Sequence, residues 1–281
     1  MFGWSRRKKQ RVRARRRDGS QGVATRYVDM WAFLNLHPTN IDLLQQLKSA
    51  DDRQFGANMD VCGSISTKNG ETSAWEKTHV VGIRHDAWRS ADHRRLVMKT
   101  FKNTGERIRW TGTIEEITTR EVHNSIGSRR AVLTLAVLLP GYDYIIHVQQ
   151  NHRTFRIPSF FTFCFYDEDE RRVWYINIKR KWISIGADFV IESGGKKIGE
   201  IDGKLIGFGY NAYIHVDEPT LAKNGRFLEL LTLFTTTVGY HRAVRRNIRH
   251  RVRAITSDEP ASYVVEDEEF WLMKNPRRRA A

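Results

Sequence analysis

Ile178-Lys-Arg-Lys181-Trp-Ile183-Ser-Ile185-Gly186 returns 23 residues later as Ile201-Asp-Gly-Lys204-Leu-Ile206-Gly-Phe208-Gly209. Both copies share the skeleton I-x-x-K-x-I, closed by an apolar residue and a glycine. Each then runs into a second apolar stretch, ending near Ile191 or Ile214. Apolar residues alternating with polar ones at a period of two mark strands with one covered face. A repeat of this length is one hairpin used twice, each copy relying on its neighbour to cover its apolar side.

Working outward, the same texture continues in both directions. Phe160–Tyr166, Arg172–Arg180, Trp182–Ile185, Phe189–Glu192, Lys197–Ile201, Leu205–Phe208 and Ala212–Val216 read as very short strands joined by tight turns such as Ser193-Gly194-Gly195. Upstream, Val80–Ile83, Leu96–Phe101, Arg107–Ile117, Ala131–Leu139 and Tyr144–Val148 are β-branched or aromatic runs. They are punctuated by Asn103-Thr104-Gly105, Asn124–Ser128 and Pro140-Gly141. This meander, residues 79–150, either belongs to the same barrel or forms a separate small barrel of oligonucleotide-binding type.

Before it, residues 1–22 read as a disordered basic arm. Residues 23–78 read as a short helix followed by a linker. The helix has Thr39 or Asn40 as N-cap and Ile41, Leu44 and Leu47 on one face, and 49–78 is rich in Asp, Asn, Gly, Ser and Thr. After the second β region the period changes. Phe227, Leu228, Leu230, Leu231, Leu233 and Phe234 are apolar nearly all round a helix, which predicts a buried one. Beyond a kink near Gly239, Tyr240, Val244, Ile248, Val252 and Ile255 share one face, and Arg242, Arg245, Arg246, Arg249 and Arg253 occupy the others. Residues 151–256 thus form a β region with a terminal helix, and 257–281 an acidic and then basic tail.

Short strands with repeated hairpins, ending in one hydrophobic helix, resemble the LURP-one-related and tubby C-terminal-like families, which include phospholipid scramblases. Trp174–Val216 and the helix from Phe227 carry the likeness. The resemblance implies a mostly β fold, a closed tubby-like barrel of short hairpins threaded by a hydrophobic helix, with Phe227–Val238 as that helix. It also implies an anionic lipid head group as ligand, bound by basic residues.

Charge points the same way. The formal charge of the 281-residue chain is +15, and it is concentrated in Arg6–Arg17, Arg242–Arg253 and Arg277–Arg279, so the remaining body is close to neutral. Of the 18 lysines and arginines in these segments only Lys8 and Lys9 are not arginine. Guanidinium groups bind phosphate bidentately, and a run of them gains affinity for any polyanion by releasing counterions. The candidate polyanion-binding residues are Arg6, Arg7, Arg11, Arg13, Arg15, Arg16 and Arg17 in the arm and Arg242, Arg245, Arg246, Arg249 and Arg253 in the helix. The arm also fits a solubilising tail or a cleaved targeting peptide. Lys181 and Lys204 are the matching lysines of the two hairpins. The acidic stretch from Asp258 to Glu269 is placed to cover the basic helix until a polyanion displaces it.

Catalytic patterns are thin. Asp188 with Asp202-Gly203-Lys204 has the spacing of a PD-(D/E)xK magnesium nuclease, yet Lys204 is also explained by the hairpin repeat. His79, His85, His93, His147 and His152 match no zinc spacing, and Cys62 and Cys164 are too far apart for a CxxC pair. Neither cofactor nor metal is expected. Trp174, Tyr175, Trp182 and Phe189 fit a strand core or a base-stacking surface. The longest apolar runs fall far short of the roughly 20 residues that cross a bilayer. The sequence therefore predicts a cytoplasmic, non-enzymatic module docking on anionic phospholipid. A nucleic-acid-binding or ribonucleoprotein component is the second reading and the nuclease the third, and oligomeric state is left open.

Overall fold

The computed structural model describes residues 24–31, 54–56, 58–68, 74–90, 94–103, 108–128, 130–151, 160–181, 187–206, 209–257 and 265–273. The strands are β1 (Ala24–Trp31), β2 (Met59–Lys68), β3 (Trp75–Arg84), β4 (Val97–Asn103), β5 (Ile108–Glu116), β6 (Thr134–Leu138), β7 (Ile146–Asn151), β8 (Phe160–Asp167), β9 (Arg172–Arg180), β10 (Phe189–Ser193), β11 (Lys196–Ile206) and β12 (Gly209–Val216). The helices are α1 (His85–Arg89), α2 (Thr118–Ile126), α3 (Pro219–Lys223), α4 (Gly225–Thr237), α5 (His241–Thr256) and α6 (Asp267–Met273). A 3-10 turn, Val238–Tyr240, joins α4 to α5 around Gly239.

All twelve strands form one closed antiparallel barrel in which sequence neighbours are spatial neighbours. β1 closes the ring, pairing Tyr27 with Tyr213 of β12 on one side and Ser66 of β2 on the other. Closure leaves no open sheet edge, which removes the usual site of edge-to-edge association. The meander at 79–150 is therefore no separate barrel: β3 to β7 are consecutive staves of the same ring.

The hairpin repeat is real in register. Ile178 of β9 pairs with Ile191 of β10, and the equivalent Ile201 of β11 pairs with Ile214 of β12. All four are buried on the inner face. Gly194 and Gly195, at φ of 57° and 80°, make the turn between the two copies, a conformation that costs glycine little. The two copies are also tied together, since Asp188 Oδ1 accepts a hydrogen bond from Gly203 N at 2.8 Å.

Inside the ring sits α4. Asn224 caps it, its side chain accepting from the backbone N–H groups of Arg226 and Phe227. Phe227 meets Phe165 of β8 at 5.3 Å between ring centroids, and Phe234 meets Phe161 of β8 at 5.0 Å and Phe189 of β10 at 5.7 Å. On another side Leu233 lies so close to Gly112 of β5 that a Cβ there would stand 2.7 Å from Leu233 Cδ1. Strands thus surround the helix, as its all-round apolar sequence requires. Thr235, Thr236 and Thr237 are poor helix formers, but each hydroxyl donates back to a carbonyl, of Leu231, Leu233 and Phe234 respectively, so none is left unsatisfied.

Several local expectations are corrected. The stretch read as short helix and linker contains β1 and β2, and the helix expected over Ile41–Leu47 lies outside the described residues. β2 reads as a loop because Gly63, Ser64, Ser66 and Thr67 dominate its middle, and Gly63 is required there: it abuts Met30 Sδ and the Asp29 carbonyl, at 2.6 and 2.7 Å from the place of a Cβ. Lys197–Ile201 and Leu205–Phe208 are not two strands, since β11 runs unbroken from Lys196 to Ile206. The turn expected at Asn124–Ser128 is the end of α2. Trp182–Ile185 lies outside the described residues.

Candidate anion-binding surface

Helix α5 leaves the barrel mouth and packs against α2. Its inner face is His241, Val244, Ile248 and Arg251, all buried. Arg251 is the unforeseen member: its Nη1 donates to Glu116 Oε1 at 2.7 Å and Glu121 Oε2 at 3.1 Å, and its Nη2 donates to the Arg94 carbonyl. Both glutamates are fully buried and also accept from backbone, Glu116 from Leu96 N and Glu121 from Thr134 N. Burial, and next the neighbouring Glu116, hold the Glu121 carboxyl well above the usual range. Arg251 therefore fastens the helix rather than facing solvent.

The opposite face is different. Arg242, Arg246, Arg249 and Arg253 are exposed and spaced by four, three and four residues, one stripe of the helix. At 1.5 Å per residue the row is roughly 16 Å long. Among the described residues, none of the four forms an ion pair with a carboxylate. Arg245, beside the row, is half-buried. Burial, followed by repulsion from Arg180 and Arg249, pushes its guanidinium below the usual range. The same environment drives His241 down to about 3, first through burial and then through Arg245 and Arg180. Its ring lies against Phe161 and Phe234, and its Nε2 is 2.9 Å from the Thr237 hydroxyl.

Arg180, at the end of β9, thus joins Arg245 and Arg249 in a cluster of one sign. Sequence reading missed it because it belongs to a strand far from the helix in the chain. Its position beside the first hairpin lysine was the available signal.

The remaining expected residues are distributed as follows. The arm from Arg6 to Arg17 and the segment Arg277–Arg279 lie outside the described residues. Lys181 is paired with Glu200 at 3.1 Å, which Lys197 also approaches at 3.0 Å, whereas Lys204 is exposed opposite Asn211. Trp174 and Phe189 belong to the core, Tyr175 is exposed, and Trp182 is outside the described residues. Of the acidic stretch, Glu266, Glu268 and Glu269 reach Arg84, Arg95 and the start of α2, not the arginine row. Asp258 and Glu259 are outside the described residues. Among the described residues no group of three or more His, Cys, Asp or Glu is arranged to hold a metal ion, and no helix is long and apolar enough to cross a membrane. No protein-family model, curated protein or solved structure matches the chain.

Proposed function

We propose that this chain is a non-enzymatic, tubby-like module related to the LURP-one and scramblase group, which docks on anionic phospholipid head groups through the outer face of α5. One observation carries the reading: four exposed arginines in a row on a helix anchored from its other face, without carboxylate partners among the described residues. Such a row keeps its charge available to an external phosphate surface, where each Arg contributes about 1 kcal/mol. Four together supply about 4 kcal/mol, roughly a thousandfold in partitioning. The hydrophobic helix enclosed by a closed twelve-strand ring supports the tubby-like reading. A duplex or single-stranded nucleic acid is the second reading. The near-exclusive use of arginine in the basic segments favours it, because the guanidinium fork matches phosphate geometry.

The test is vesicle co-sedimentation with phosphatidylcholine alone and with added anionic lipid, beside RNA and DNA binding, each over a salt series. The wild-type chain should bind only the anionic vesicles. The variant R242Q/R246Q/R249Q/R253Q should lose about a hundredfold or more. Equal vesicle binding by the two proteins would overturn the assignment to α5. Nucleic-acid binding with a steep log–log salt slope and no vesicle binding would establish the second reading instead.

A further inference from the structure

Three anion-recognising groups from separate parts of the chain converge beside the barrel: Arg84 at the end of β3, Arg95 just before β4, and the first turn of α2. The chain's own segment 266–269 fills all three. Arg95 Nη2 lies 2.9 Å from Glu266 and 3.4 Å from Glu268, and its Nε donates to Glu266 at 3.1 Å. Arg84 pairs with Glu268. Glu269 accepts from the Thr118 hydroxyl at 2.6 Å and from both the backbone N–H and the hydroxyl of Thr119 at 2.9 Å. Arg95 and Glu269 are each only 1% exposed, whereas the Glu268 side chain is 59% exposed, so the site is enclosed at Arg95 and Glu269 and open at Glu268.

The contacts of Glu266, Glu268 and Glu269 with these three groups are polar. Phe270 and Trp271 are 53% and 52% exposed and Met273 is 38% exposed, the reverse of how a core element disposes its large apolar side chains. The receiving groups would also survive its departure. Arg84 keeps Asp86 at 2.6 Å and Arg95 keeps Glu115 at 2.7 Å, so an emptied site strands no unpaired buried charge. The donors that the three carboxylates would vacate include Arg95 Nε and Nη2, Arg84 Nη1 and the Thr119 amide and hydroxyl. That is a directional set matched to carboxylates at the spacing E-x-E-E.

We infer that Arg84, Arg95 and the N-terminus of α2 form a receptor for an acidic peptide, with Glu266–Met273 as its resident and exchangeable occupant. The partner it fits is an acidic segment of another protein bearing glutamates at that spacing. Because the resident is tethered, it competes at an effective concentration in the millimolar range, so the receptor is masked until the partner binds tightly or the resident is withdrawn. This holds whether or not α5 docks on lipid.

The experiment uses the full chain carrying E266Q/E268Q/E269Q and a fluorescent peptide of residues 262–276 with the natural sequence. Anisotropy should show peptide binding to the triple variant at least about tenfold tighter than to the wild type, weakening as salt rises. T119V in the triple background should weaken it again, about fivefold, through loss of one charge-assisted hydrogen bond. Hydrogen exchange at the Thr119 amide reports whether the resident has left. Continued protection of that amide in the triple variant would overturn the inference, because something other than the carboxylates would then hold the segment. Loss of protection without peptide binding, or equal peptide binding to both proteins, would overturn it as well.

Discussion

Helix α4 carries one carboxylate into the barrel and surrounds it. Glu229 accepts from Arg26 at 2.7 Å, from Thr100 at 2.6 Å and from Thr111 at 2.8 Å, with His79 at 4.0 Å. Burial alone would raise that carboxyl, but Arg26, His79 and the hydrogen bonds outweigh it and hold it below the usual range. Helix α5, starting one turn later, carries six arginines, of which Arg251 is buried, Arg245 half-buried and the other four exposed. Inside the barrel Glu229 has built counterparts. On the outer face of α5 a row of one sign is left to solvent. The contrast shows that the density of charge along a chain does not mark a binding surface; the supply of partners in three dimensions does.

The sharpest way to break this comparison is to exchange two arginines that stand two residues apart. R251M leaves Glu116 and Glu121 buried without the one cation that pairs with them among the described residues, and should cost about 3–5 kcal/mol, read from the midpoint and slope of denaturant unfolding. A loss below about 1 kcal/mol would mean that the two carboxylates do not depend on Arg251.

An intermediate effect is expected from pH. Burial first, and then the nearby Arg26 and Lys102, lower His79 to about 4, against the opposing pull of Glu229. The folded state therefore binds fewer protons than the unfolded one. The contribution of His79 is complete above about pH 6.5 and is lost as pH falls from there towards 4. Unfolding free energy should drop over that window by on the order of 2–3 kcal/mol, and H79N should flatten the fall. An identical pH profile for the variant would show that His79 is not the group titrating.

The smallest effect belongs to the outer face. R253M removes an exposed arginine with no carboxylate partner among the described residues, and should change stability by no more than about 0.5 kcal/mol in the same assay. A loss comparable to that of R251M would erase the distinction between the two faces.

The hairpin repeat and α4 were legible from sequence because they obey strict local periods. Ile178, Ile191, Ile201 and Ile214 fall in register where alternation puts them, and Phe227–Phe234 has no polar face to show to water. β2 was illegible for the opposite reason. Met30 and the Asp29 backbone press on Gly63, so no side chain fits there, and the small polar residues around it resemble a loop. The arginine stripe of α5 was visible as a helical pattern. Arg180 beside it, and the inward turn of Arg251, were not.

Local order alone therefore determined that this chain makes short antiparallel hairpins, one helix that must be enclosed, and a body near neutrality with its cations gathered in arginine runs. The tertiary structure decided that the described strands close into a single ring, that Arg84, Arg95 and Arg251 are claimed by glutamates distant in sequence, and that, among the described residues, Arg242, Arg246, Arg249 and Arg253 are not. The physical reason is that strand order and the pairing of charges are contacts between residues far apart along the chain, where no local period records them.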